Sequence, residues 1–339
     1  MFFATPNPHE SPAVTESAPD TGPQNPEFSL TFPYSLGCPP VGAGFRSQLE
    51  DFQVVEDLGF APAGSGEHLL LQIRKCNENT RWVARLLGEH YGIPELGVGY
   101  CGLKDRRAVT SQWFSVQLPG ADTPAPPSLP GCELLASARH PKKLRPGMHR
   151  GNDFAIVLRV DPEGVAEVQQ RLEAVARHGV PNYFGEQRFG RDGNNLREVA
   201  RIVGSRQPRF KGQRGGLYLS AARAWLFNLV LGERVRQQLW TEVADGPLWG
   251  RGRSAASETL ARDEAEILAP WAPWCLALEH SGLKQERRPL VLAPQNFVWH
   301  WQGSDLHLAF SLPPGTFATS LLRELAQLQA PPIPHQPAL

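Results

Sequence analysis

Gly102-Leu103-Lys104-Asp105-Arg106-Arg107-Ala108-Val109-Thr110-Ser111-Gln112-Trp113 sets one acidic side chain among three basic ones. The glycine and the basic run read as a loop. Residues 97–103 before it form a short, apolar, Gly-rich segment, and residues 110–118 after it alternate as a strand does. Cations beside a carboxylate favour its charged form, so Lys104, Arg106 and Arg107 mark Asp105 as a candidate functional carboxylate. An Asp paired with its neighbours in a surface turn has the same composition, and composition alone favours that alternative. Gly97-Val98-Gly99-Tyr100-Cys101-Gly102 matches G-x-G-x-x-G in letters. A dinucleotide loop needs a strand before it and a helix after it, whereas here a helix precedes and a basic loop follows.

Working outward, residues 52–56 and 68–73 read as strands. Asn79 and Thr80 offer an N-cap to a helix carrying Trp82, Val83, Leu86 and Leu87 on one face. A Pro-rich loop spans residues 119–130, and strands are expected at 132–138 and 154–160. An amphipathic helix from 164 to 178 ends at Gly179. Residues 181–215 are Gly- and Arg-rich and poor in strand signals. Helices follow at 217–239 and 256–268, strands at 297–301 and 306–310, and a last helix at 316–328. Strand-rich, helix-rich, then strand-rich again predicts an α+β domain with a second domain inserted into it. Residues 1–42, rich in Pro, Ser, Thr and Asn, read as a disordered tail.

The 339 residues are enough for two domains. No stretch reaches the roughly 18 apolar residues of a membrane span, and the N-terminus lacks the pattern of a signal peptide, so a cytoplasmic protein is expected. The five cysteines are widely spaced with no C-x-x-C, which argues against a disulfide framework or a zinc site. The ten histidines show no ligand spacing; no metal site and no cofactor is expected. Formal net charge is zero, yet 13 of the 34 Lys and Arg residues fall in two short stretches, 139–150 and 186–214. Lys142, Lys143 and Arg145 in the first, and Arg209, Lys211 and Arg214 in the second, are candidates for an RNA-binding surface. A solvated loop and a charged helix face have the same composition.

The segment 102–113 resembles the catalytic motif of the TruD family of pseudouridine synthases, which modify uridine 13 of certain tRNAs. Four further blocks resemble that family in its own order: Glu50-Asp51-Phe52-Gln53-Val54-Val55-Glu56, Gly151-Asn152-Asp153-Phe154, residues 179–190 (GVPNYFGEQRFG) and Gly315-Thr316-Phe317-Ala318-Thr319-Ser320. Five ordered blocks are far more specific than any one, and they span residues 45–328. Residues 245–289 are least like the family.

The resemblance implies a pseudouridine synthase catalytic domain, α+β with a mixed, largely antiparallel sheet, over residues 43–178 and 292–339. It also implies a smaller inserted α/β domain, at 179–291, that grips tRNA. It places Asp105 as the catalytic carboxylate and Arg46 as the basic residue beside it. Phe52, Asn152 and Phe317 fall at positions that contact the target nucleotide, and Phe154 falls where related families have an active-site Tyr. The expected activity is isomerisation of uridine in tRNA by a monomer, with tRNA as partner and without membrane or small-molecule cofactor. The same chemistry on another RNA, and a non-catalytic tRNA-binding protein, are the alternatives.

Overall fold

The computed structural model describes residues 28–120, 125, 127–212 and 214–331. Its centre is a ten-stranded mixed sheet. In chain order the strands are β1 (Gly42–Phe45), β2 (Phe52–Asp57), β3 (His68–Cys76), β4 (Val98–Tyr100), β5 (Val109–Gln117), β6 (Cys132–His140) and β7 (Gly151–Val160). After the inserted unit come β12 (Gln295–Gln302), β13 (Asp305–Leu312) and β14 (Gln327–Gln329). The main path runs β12-β13-β7-β2-β5-β3-β6; β4 pairs with β5, and β1 bridges β7 and β14. All pairings are antiparallel except β2 with β5 and β1 with β14.

Period-2 alternation decides which face is covered. In β2, Phe52, Val54 and Glu56 are buried, whereas Gln53 and Val55 are exposed. Register puts Asn152, Phe154 and Ile156 of β7, and Thr110 of β5, on the same face. Helices cover this face in two places. α1 (Thr80–Tyr91) buries Val83, Ala84 and Leu87 on one side. On the other side, α2 (Val165–His178) and α7 (Ala318–Leu325) pack through Leu172, Val175, Leu321 and Leu325. Asn79 caps α1 by accepting from the backbone N–H of Arg81 and Trp82, and Gly92 ends the helix in the left-handed conformation.

The segment between β7 and β12 is closed near its two ends by two short strands that pair antiparallel, β8 (Val180–Pro181) with β11 (Val291–Leu292). Between them lie α3 (Asn194–Val203), α4 (Gly215–Arg236), α5 (Glu258–Ile267) and α6 (Ala272–Glu279), with the ribbon β9 (Asp245–Leu248) and β10 (Glu286–Pro289). α4 is buried on most sides and supplies Trp225, Phe227 and Leu231 to a separate core. Arg287, raised above its ordinary range by hydrogen bonds to Glu264 and Asp245 that outweigh its burial, ties β10 to α5. No helix among the described residues is long and apolar enough to cross a membrane.

Three expectations change. The tail expected through residue 42 is packed from residue 28 on, while residues 1–27 lie outside the described residues. Phe28 meets Trp225, Trp271 and Trp274, and Phe32 stacks on Tyr183 at 5.2 Å. Ser35 then donates twice to the buried Glu324, and Arg171 binds the carbonyls of Leu36 and Gly37. This strap is tied to both cores. The last helix stops at Leu325, because residues 327–329 become β14 and pair with β1. α3 lies within the Gly- and Arg-rich stretch 181–215, where the sequence placed no helix.

Candidate active site

The loop carrying Asp105 crosses the covered face between the two groups of helices. Four buried side chains from four elements hold it. Lys75 of β3 donates to the Asp105 carbonyl at 2.9 Å and to the Glu78 carbonyl at 2.6 Å. Thr80, at the start of α1, accepts from the Lys104 backbone N–H at 3.0 Å and donates to Gln112 Oε1 at 2.7 Å. Gln112 of β5 donates to the Gly102 carbonyl. Glu56 of β2 pairs with the Lys104 ammonium at 2.5 Å and accepts from the Trp113 N–H. Removing any one would leave a buried partner without its hydrogen bond. Burial pushes Lys75 down to about 8, while the Asp105 charge pulls the other way.

The Asp105 carboxylate points away from this scaffold, and its side chain is 33% exposed. Its Oδ2 accepts from Arg46 Nη2 at 2.7 Å. Oδ1 accepts no hydrogen bond among the described residues. The counter-charge therefore comes from Arg46, 59 residues upstream, and not from the sequence neighbours. Lys104 turns inward to Glu56, Arg106 donates to the Asn77 carbonyl and Arg107 to the Pro331 carbonyl. Arg46 follows β1 at φ 56°, a conformation that costs a non-glycine residue roughly 1–3 kcal/mol. The turn aims its guanidinium at Asp105 across the Phe52 ring, whose centroid is 4.0 Å away.

This geometry changes the expectation for Phe52. Phe52 is 1% exposed, packed in T-shaped contacts with Phe45 and Phe154 and with Arg46 over its ring, so a stacking base cannot reach it. It supports Arg46 from beneath. Phe154, half-buried, stacks on Phe310 at 5.3 Å. Asn152 lies directly across from Glu56 in the β2–β7 pair. Its Nδ2 donates to His149 Nε2 at 3.4 Å, and its buried Oδ1 has no partner among the described residues. Burial, with the Lys104 charge, lowers His149 and keeps the ring neutral, as an acceptor requires. Phe317 caps α7 at the seam with the inserted unit, where it meets Phe184 and Gly185. The structure joins Phe52 and Phe154 but gives Phe317 a different ring partner.

Of the expected basic residues, Lys142, Arg145, Arg209, Lys211 and Arg214 are exposed and form no ion pair among the described residues. Lys143 is half-buried and donates to the Leu96 carbonyl, which gives it a structural task. The residues missed in the sequence are Lys75, Glu56, Thr80, Gln112 and His149 in their scaffold roles. A buried lysine inside a strand leaves no local signature, because its partners are backbone carbonyls of distant loops. Glu56 does leave one: it is an acidic residue on the apolar face of an alternating strand.

A carboxylate held by a guanidinium, with aromatic rings and an amide oxygen along one sheet, forms the candidate site of this sheet-based α+β fold. A family model described as tRNA pseudouridine synthase D (TruD) matches residues 31–209. The chain is 47% identical over 317 residues to tRNA pseudouridine synthase D of Cellvibrio japonicus (strain Ueda107), covering 89% of this chain and 94% of that one. It is 41% identical over 335 residues to the protein of the same name from Aeromonas hydrophila, covering 87% and 94%. A crystal structure from Methanosarcina mazei named for tRNA pseudouridine synthase D superposes with a TM-score of 0.62 at 20% identity, covering 86% of this chain and 95% of that one; it shares the fold. The chain belongs to the TruD family.

Proposed function

We propose that this protein isomerises uridine to pseudouridine in tRNA, at position 13, with Asp105 as the catalytic carboxylate. The observation that carries the reading is the Asp105–Arg46 pair: a partly exposed carboxylate with one oxygen held by a guanidinium and the other without a hydrogen bond among the described residues. The reaction breaks the N1–C1′ bond and forms C5–C1′; N1 gains a proton and C5 loses one, so no oxidant or reductant takes part. Attack on C6, attack on C1′ and removal of a ribose proton all require Asp105 ionised, and Arg46 stays charged where a buried lysine would not.

The base must leave the stack, at a cost of a few kcal/mol. Asn152 Oδ1, buried and unpartnered, suits the N3–H of a flipped uracil. Phe317 and Phe154 line its path, Phe52 acts through Arg46, and the exposed basic residues hold the phosphate backbone. A tRNA substrate sets the place of action in the cytoplasm. A protein that only binds tRNA gains nothing from a carboxylate facing phosphates, which disfavours that alternative.

The test is to map pseudouridine in total tRNA from cells with and without the gene. Loss of the modification at position 13 alone is expected. Loss at other positions or in other RNAs would replace the substrate, and an unchanged map would reject the activity.

A further inference from the structure

Two arginines of the inserted unit are charged, half-buried and without a carboxylate. Arg188 sits in the turn Glu186–Phe189, and Arg288 lies in β10. Both guanidinium groups face the Phe184 ring, at 5.7 Å and 4.1 Å from its centroid. Among the described residues neither forms an ion pair, while Arg287, next in sequence, has both Asp245 and Glu264. Arg288 is held in place by Asn182 Oδ1 at 2.6 Å and the Gly315 carbonyl at 2.9 Å. Arg188 has one side-chain partner, Ser220 Oγ at 2.9 Å. Burial pushes Arg288 down to about 10, and the nearby Arg188 charge pushes the same way. Burial also lowers Arg188. The two like charges act on each other, and among the described residues no carboxylate pairs with either.

Such an arrangement is costly unless an anion completes it. Two guanidinium forks suit the oxygens of a phosphate diester. The place is informative as well. Arg288 binds the carbonyl of Gly315, two residues before Phe317, and Gly185 at the start of the Arg188 turn packs beside the Phe317 ring. We propose that Arg188 and Arg288 form the receptor for one RNA backbone phosphate, the one flanking the nucleotide that is carried to Asp105. This assignment rests on the reading of the site given under Proposed function. It supplies what stacking alone lacks, a fixed point on the backbone against which the base can swing out.

The test is a binding cycle with full-length protein and tRNA in which the phosphate 5′ or 3′ of uridine 13 is replaced by a neutral methylphosphonate. In the wild type, one of the two replacements should weaken binding by about tenfold; in Arg188→Gln the same replacement should matter by less than about twofold. Equal penalties in the two proteins, or none in either, would overturn the site. Should Arg188→Gln melt well below the wild type, Arg188→Lys is read in its place. It keeps a charge without the fork, and the coupling should fall by about threefold or more; an unreduced coupling overturns the site. Turnover of unmodified tRNA by the wild type is measured in parallel. Turnover without coupling rejects the arginine site and leaves the activity standing, while coupling without turnover does the reverse.

Discussion

At the residue scale, the site depends on how firmly one carbonyl and one guanidinium are placed. Lys75 donates to Asp105 through its backbone, so Lys75→Met leaves the Asp105 and Glu78 carbonyls without their donor. We expect single-turnover isomerisation to fall by about tenfold or more, with tRNA affinity little changed, because misplacing the proposed catalytic carboxylate costs rate before binding. The same residue gives a pH signature. Folding lowers Lys75 from 10.5 to about 8, so between those values the unfolded chain binds more protons than the folded one. Stability from this group therefore rises with pH across that window. Unfolding titrations should show the wild type gaining on Lys75→Met from pH 8 upward, and parallel curves would contradict the burial argument. Phe52 and Phe317 divide differently. Phe52→Leu removes a core ring and the platform under Arg46, so both stability, by roughly 1 kcal/mol, and turnover should drop. Phe317→Leu should lower turnover with little change in melting temperature. A Phe52→Leu protein that melts with the wild type would show that the ring is not core.

At the element scale, the strap from residue 28 to 41 ties the inserted unit to the sheet domain. Phe32 is 8% exposed and touches Tyr183, Phe189 and Trp225, so Phe32→Ala should cost about 3 kcal/mol by the usual penalty for a buried Phe. An unchanged denaturation midpoint would show that the strap does not dock. The strap also marks where sequence reading stops. Strands β2, β3, β5 and β7 and helices α1 and α2 were legible because each carries its own pattern of apolar residues, with Asn79 opening α1 and Gly179 closing α2. Phe28, Leu30 and Phe32 alternate just as clearly, but Pro, Ser and Thr around them drowned three residues in a disordered composition. β1 and β14 are four and three residues long; β14 pairs with β1 from the far end of the described chain, and β1 is held between β14 and β7. Arg46 and Asp105 were legible only through family-like blocks. Local charge named the wrong partners for Asp105, since Lys104, Arg106 and Arg107 all bond elsewhere.

At the scale of the molecule, the sheet carries the carboxylate, and Phe317 at the start of α7 meets Phe184 of the segment between β8 and β11. Charge is arranged to match: a neutral chain exposes unpaired basic residues in two loops, one from each domain. If both loops hold tRNA, the Lys142→Ala/Arg145→Ala and Arg209→Ala/Lys211→Ala/Arg214→Ala proteins should each bind more weakly. Each should also show a flatter dependence of log Kd on log salt, by about 0.7 per lost single-strand phosphate contact. Adding Lys143→Ala should act on folding more than on that slope, given its bond to Leu96. Slopes identical to the wild type in both variants would reduce the loops to solvated surface. The central claim, that Asp105 does the chemistry, is tested most directly by single-turnover isomerisation and tRNA binding of Asp105→Asn beside the wild type. Asparagine keeps the size and can still accept from Arg46, but it has no ionised oxygen to react. The account predicts undetectable pseudouridine with a Kd within about twofold of the wild type; measurable turnover by Asp105→Asn would contradict it.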